Sequence, residues 1–258
     1  TFAVNPTIVE PSFNKNDISE TENSQYIDDR LSEYKSPEPQ HKILVISVAT
    51  DPIDGFILWE ETAKHFNYTY NVLGMNTEWK GGDMKISPGG GQKICIAKDW
   101  LQNIKKTELY KQYTHVMFTD AYDVFFNADL ETIWSKYEKM VDSIDTDFLF
   151  SAETQCWPKK EYVSIYPDPY VHNNVKYLNS GMWIGPINKL ESLWNVDILP
   201  HEDDQGYYTD RYLFPVEDGG YNIKLDYFSE IFLNLQGISD ISLMNEKKQN
   251  VCVIHGNG

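Results

Sequence analysis

Cysteine is scarce in this sequence, with only Cys95, Cys156 and Cys252 among 258 residues. Three cysteines allow one disulfide at most and leave an odd thiol, which excludes a disulfide-stapled scaffold and a four-cysteine zinc ribbon. Positive charge is also in short supply, since 22 Lys plus Arg face 39 Asp plus Glu for a net charge of −17. Such a surface repels a phosphate backbone, so no nucleic-acid partner is expected. Long hydrophobic runs are missing. The longest, from Ile43 to Ala49 and broken only by Ser47, is far short of the ~20 residues that cross a bilayer, so no membrane span is expected. The first residues show neither a basic n-region nor an apolar h-region, and no signal peptide is expected within this sequence.

What the chain does contain is aromatic side chain, 14% of residues with 17 Tyr and 7 Trp. Such rings suit a packed core and a sugar or base platform. Residues 1–40 are rich in Glu, Asp, Ser, Asn and Pro without any apolar period, the composition of a polar tail or linker. At Lys42 the texture changes to a β-branched run, Ile43-Leu44-Val45-Ile46-Ser47-Val48, which suits a strand buried on both faces. A globular domain over 41–258 is expected to begin there.

Helical spacing over 55–66 followed by a strand over 68–73 makes a βαβ unit. A Gly-rich loop, a helix over 92–106 and a strand over 115–118 come next, then a helix over 130–141, strands over 148–152 and 182–184, and a helix over 189–195. The fold class is therefore α/β with a largely parallel sheet.

Ligands in such sheets bind outside the carboxyl ends of the strands. The third strand runs into Thr119-Asp120-Ala121-Tyr122-Asp123, placing two carboxylates where a strand meets its loop. They suit Mg²⁺ or Mn²⁺, which prefer carboxylate and water and can bridge to a diphosphate. The same pair also fits a helix N-cap followed by a turn aspartate. A second buried-strand pattern, Val251 to Ile254, ends in His255-Gly256-Asn257-Gly258, offering a third ligand and glycines that let backbone approach a bound group. Gly89-Gly90-Gly91-Gln92-Lys93 opens a helix and offers backbone N–H groups and one cation to phosphate. It lacks the Walker spacing, so a P-loop is excluded.

Together with these strings, Val48-Ala49-Thr50, Glu78-Trp79-Lys80-Gly81-Gly82-Asp83, Phe150-Ser151-Ala152-Glu153, Cys156-Trp157-Pro158, Tyr177-Leu178-Asn179-Ser180-Gly181 and Asp203-Asp204-Gln205 resemble the glycosyltransferase domain of multifunctional procollagen lysyl hydroxylases. The resemblance runs in order from about Ile43 to the last residue. It implies a GT-A type fold, a Mn²⁺-dependent UDP-sugar site, transfer of glucose from UDP-glucose to galactosylhydroxylysine of collagen, and an endoplasmic reticulum or secreted context. It also implies Asp120, Asp123 and His255 as metal ligands and Thr50, Trp79, Lys93, Tyr122 and Gly256 as donor-binding residues. Trp79 and Tyr122 supply faces for uracil, and Lys93 a point charge for phosphate.

On the acceptor side the resemblance points to Asp203 and Asp204 as catalytic carboxylates, with Gln205, Trp157, Asn179 and Ser180 holding the acceptor. The acidic run, His201-Glu202-Asp203-Asp204, is shorter than the family's and reads equally as a solvated helix start. Glucose and galactose differ in one hydroxyl, so a UDP-galactose-dependent hydroxylysine transferase stays open. Two other classes compete. His201, Asp203 and His255 formally match a two-His, one-carboxylate iron site, but that site calls for a jelly roll, which the βαβ texture contradicts. A catalytically silent binding module would have lost its metal ligands, whereas Asp120, Asp123 and His255 are all present.

Overall fold

The computed structural model describes residues 42–84, 87–168, 175–215, 219–237 and 250–257. The expected tail over 1–40 lies outside the described residues. The first strand, β1 (Ile43–Val48), is buried along its whole length. Its side chains alternate between two cores: Leu44, Ile46 and Val48 enter one, Ile43 and Val45 the other. That period of two is why a continuous apolar run can lie at the centre of a sheet covered on both faces.

Helix α1 (Asp54–His65) covers one face with Phe56, Trp59 and Ala63. After β2 (Tyr70–Leu73), helix α2 (Gly91–Ile104) covers the other face with Ile94, Ala97 and Leu101. Each large side chain buried in this way contributes roughly 1.5–3 kcal/mol. A short α3 (Glu108–Gln112) leads into β3 (His115–Thr119), then β4 (Val124–Phe126) and α4 (Leu130–Met140). Next are β5 (Asp147–Glu153), β6 (Tyr177–Pro186), α5 (Leu190–Leu193) and α6 (Asp204–Leu213). The series closes with β7 (Asn222–Asp226), β8 (Phe232–Asn234) and β9 (Val253–His255).

The central sheet has the order β2-β1-β3-β6-β5-β7. All its strands run the same way except β6, which is antiparallel to both β3 and β5. The α/β class with a largely parallel sheet expected from the sequence is the one found. The strand expected over 182–184 is longer and reversed. Among the described residues, its connection from β5 holds a 3₁₀ turn, Lys160–Ser164, and no crossover helix, so β6 returns alongside β5. The helix expected over 189–195 is a single turn preceded by the 3₁₀ turn Ile187–Lys189. A second sheet, β4-β9-β8, places β9 in the middle, antiparallel to β4 and parallel to β8. All three thiols are free. Among the described residues, no helix is long and apolar enough to cross a membrane.

Candidate active site

A cleft of about 1130 Å³ opens at the carboxyl ends of β1, β3 and β5, where a parallel sheet leaves its binding crevice. Every residue expected above for metal, donor and acceptor lines it. Their neighbours, however, assign them different work.

The end of β3 is fixed from three sides. Ser47 Oγ donates to the Thr119 carbonyl at 2.7 Å, and Trp59 Nε1 donates to Thr119 Oγ1 at 2.7 Å. The Asp120 N–H donates to the Gly181 carbonyl, also at 2.7 Å. These bonds aim Asp120 at His255, which β9 brings from the small sheet. His255 Nε2 lies 3.3 Å from Asp123 Oδ2 and 3.9 Å from Asp120 Oδ2. The ligand atoms of Asp120, Asp123 and His255 all fall within 4.8 Å of one another, a spacing that fits one divalent cation. Gly181 makes room for them, because a Cβ there would stand 2.5 Å from His255 Cε1 and 3.0 Å from Asp120 Oδ2.

Asn234, which sequence reasoning missed, sets the imidazole's orientation. Its Nδ2 donates to the Ala152 carbonyl at 2.8 Å, which leaves its Oδ1 as acceptor for His255 Nδ1 at 2.8 Å. His255 Nε2 is thereby turned toward the two carboxylates, the usual arrangement behind a metal-ligating histidine. Burial opposes charge on His255, but Asp123 and Asp120 outweigh it and raise its pKa above the ordinary imidazole value.

Lys93 does not reach out as a free phosphate ligand. Its ammonium is buried between Asp120 Oδ1 at 2.7 Å and Asp204 Oδ2 at 2.9 Å. Burial works against that ammonium, yet the two carboxylates keep it protonated well above the ordinary lysine value. The Gly-rich N–H groups are committed too. Gly90 donates to Gly81, Gly91 to Glu202 and Gln92 to Pro200, while Asp204 donates back to Gly89. The loop therefore does not cradle phosphate with free backbone donors, as its composition implied. It zips to the segment ahead of α6, and Gly90, at φ +92°, has no room for a Cβ, which would stand 2.8 Å from Asp204 Cγ.

The solvated helix start is also corrected. Asp203 caps α6 by accepting from the Gly206 N–H, and Asp204 is 4% exposed. Gln205 has no spare amide atom for an acceptor. Its Oε1 accepts from the Ser180 N–H at 3.2 Å, and its Nε2 donates to Glu153 Oε1 at 2.7 Å and the Trp157 carbonyl at 2.9 Å. Asn179 Oδ1 likewise accepts from the Gly181 N–H at 2.9 Å. Three aromatic rings keep open faces toward the cleft: Trp79, Tyr122 and Trp157 are 36%, 37% and 43% exposed. The Tyr122 hydroxyl accepts from the Thr50 and Asp51 N–H groups at 2.8 and 2.9 Å, which fixes its ring to the end of β1. Gly256 donates its N–H to the Asp123 carbonyl at 2.7 Å.

Glu153, at the end of β5, is the other residue the sequence reading left without a role. It is 4% exposed, lines the cleft, and accepts from Gln205 and from Asn257 Nδ2 at 3.2 Å. Burial pushes its carboxyl up to about 7, against the hydrogen bonds from Gln205 and Asn179. The available signal was a charged residue at the carboxyl end of a strand whose middle, Phe148-Leu149-Phe150, is apolar.

Asp226 is likewise pushed up by burial, to about 6, although three backbone N–H groups bond it. Carboxyls raised above their unfolded values hold their protons more tightly in the folded state. The stability they contribute is present at low pH and lost as pH rises through about 6 to 7. Metal-free protein should accordingly melt a few degrees higher at about pH 5.5 than at about pH 8. Glu153→Gln, which cannot ionise, should flatten part of that slope in a thermal melt. A variant that keeps the full parental slope would show that Glu153 does not titrate there.

The alternative iron triad is not assembled. Among the described residues, Asp120, Asp123 and His255 are the group of three ligands that comes together, and Asp203 is occupied as a helix cap.

The chain is similar to known proteins along most of its length. The family model of the PLOD GT domain matches residues 39–258. The chain is 38% identical over 212 residues to procollagen-lysine,2-oxoglutarate 5-dioxygenase 2 of Homo sapiens, covering 81% of this chain and 27% of that protein. It is 37% identical over 232 residues to the multifunctional procollagen lysine hydroxylase and glycosyltransferase of Caenorhabditis elegans, covering 84% and 30%. The chain thus spans about three tenths of the length of the curated relatives it matches. Among solved structures, a glycosyltransferase involved in the glycosylation of the major capsid of PBCV-1 is similar at 13% identity and a TM-score of 0.47, covering 84% of this chain and 93% of that one. By the extent of the family match, the chain belongs to the PLOD GT domain family, the glycosyltransferase domain of the multifunctional lysyl hydroxylases.

Proposed function

We propose that this domain transfers glucose from UDP-glucose to galactosylhydroxylysine of a collagen-like protein, with retention at the anomeric carbon. The observation that carries the reading is the Asp120, Asp123 and His255 constellation in a cleft with the exposed rings of Trp79, Tyr122 and Trp157. A divalent cation held by those three residues, Mn²⁺ in this reading, supplies Lewis-acid neutralisation of the charge that builds on departing UDP. Trp79 and Tyr122 offer faces for uracil, each stack worth ~1–3 kcal/mol. Trp157 offers an apolar face to the acceptor sugar.

Lys93 keeps Asp120 and Asp204 from repelling one another before the donor arrives. Asp204, expected above at the reacting centre, acts in this reading through Lys93. In same-face return the proton of the attacking hydroxyl passes to the departing diphosphate, and Glu153, which lines the cleft with its carboxyl pushed by burial up to about 7, orients that hydroxyl in this reading. An acidic domain also suits a basic acceptor chain.

A donor screen tests the reading: UDP-glucose and UDP-galactose against collagen peptides bearing hydroxylysine or galactosylhydroxylysine, with and without Mn²⁺. Mn²⁺-dependent transfer from UDP-glucose to galactosylhydroxylysine is expected. Transfer from UDP-galactose to hydroxylysine instead would move the assignment to the galactosyl step. No transfer in any combination would overturn it.

A further inference from the structure

Trp79 presents its indole to the cleft from a segment that belongs to no helix or strand. A ring so placed ordinarily loses rotamer freedom on binding, at a cost in affinity. Here its position is set in advance. The indole N–H donates to the Gly82 carbonyl at 2.7 Å. The ring lies so close over Gly81 that a Cβ there would stand 2.1 Å from Trp79 Cζ2. The backbone on both sides of Trp79 is held by one buried amide, that of Gln92. Its Nε2 donates to the Glu78 carbonyl at 2.8 Å, and its Oε1 accepts from the Lys80 N–H.

Glutamine is the side chain that this arrangement requires. Its planar amide carries a donor and an acceptor side by side, matching the carbonyl of Glu78 and the N–H of Lys80 as a neighbouring strand would. An ionised glutamate has no donor for Glu78, methionine has neither group, and asparagine is a methylene short. Gln92 is 7% exposed and lies behind the cleft wall without lining it.

We propose that Gln92 is the positioning residue of the nucleotide subsite, gripping the backbone around Trp79 so that the indole stands ready for the pyrimidine of a nucleoside diphosphate. The proposal rests on the reading of Trp79 as the base platform.

The test is UDP binding in the presence of Mn²⁺, by calorimetry, on the full chain and on Trp79→Ala, Gln92→Glu and Gln92→Met, with thermal melts and both substrate KM values alongside. At about pH 8, Trp79→Ala and Gln92→Glu should each weaken UDP about tenfold, within the range of one lost base stack. The acceptor KM of Gln92→Glu should stay within about twofold of the parent. At about pH 5.5 a buried glutamate takes up a proton and regains one O–H donor beside one acceptor oxygen. The Gln92→Glu deficit relative to parent should then shrink, whereas Gln92→Met should show the same deficit at both pH values. If Gln92→Glu fails to fold, Gln92→Met carries the test alone through the split between donor and acceptor KM.

Both Gln92 variants binding UDP like the parent, with Trp79→Ala weakened, would overturn the proposal and leave the function reading standing. Equal losses in donor and acceptor KM would overturn it as a general packing effect. Parental UDP affinity in Trp79→Ala would remove the base platform, and the proposal with it.

Discussion

Asp123→Ala is expected to lower sugar transfer by at least about 10²–10³-fold, the scale of losing one preorganised group that stabilises transition-state charge. The fold should survive, because the Asp123 side chain is 44% exposed and stands in a loop between β3 and β4. Its carboxyl is held below the ordinary aspartate value, since the His255 hydrogen bond and charge overcome its partial burial. It is thus ionised at neutral pH and ready as a hard oxygen ligand. The measurement is turnover at limiting Mn²⁺ together with a thermal melt. Near-parental turnover with an unchanged melt would remove Asp123 from the ligand set.

Lys93→Met should have the largest effect on stability. The ammonium is 7% exposed and neutralises two carboxylates that are themselves mostly enclosed, with side chains 19% exposed for Asp120 and 5% for Asp204. Removing one member of a buried ionic cluster typically costs about 3–5 kcal/mol, because the charge left behind has neither water nor partner. For a domain of this size each kcal/mol moves the melting temperature by roughly 2–4 °C, so a fall of about 10 °C is expected. Added Mn²⁺ should restore more of it in Lys93→Met than it adds to the parent, because the cation supplies the missing positive charge beside Asp120. An unchanged melting temperature would mean that the carboxylates simply take up protons in place of the pair.

Much of this architecture was legible along the chain. The buried runs of β1 and β3 announce central strands through local composition, and the carboxylates after β3 follow from where a parallel strand delivers its loop. His255 was legible for the same reason, as a ligating residue closing an apolar strand. What could not be read depends on partners distant in sequence. The reversal of β6 is set by how the chain returns from β5, and Met182-Trp183-Ile184 is apolar in either direction. The Gly-rich loop reads as an anion cradle until the carbonyls of Gly81, Pro200 and Glu202 are seen to occupy its N–H groups. Asn234 and Glu153 gain their roles only because β8 and β5 stand beside β9 and α6 in space. Asn234 sits in no local pattern that would mark it, and Glu153 only in that of a charged residue at the carboxyl end of a strand.

The place of β9 has a consequence for assembly. This strand carries His255 and is also the partner that β4 and β8 share, so the third ligand and the small sheet come into being in one docking event. Closing a loop from β4 to β9 spans most of the domain, and the chain entropy that opposes it is met only when the last contacts form. A folding chain whose β9 has not docked has Asp120 and Asp123 but no imidazole beside them. Tight cation binding should therefore emerge late in refolding, in step with burial of Val253 and Ile254 and after the central sheet has formed. Divalent-ion affinity would then report completed chain closure, read out at the three residues proposed above to hold the ion.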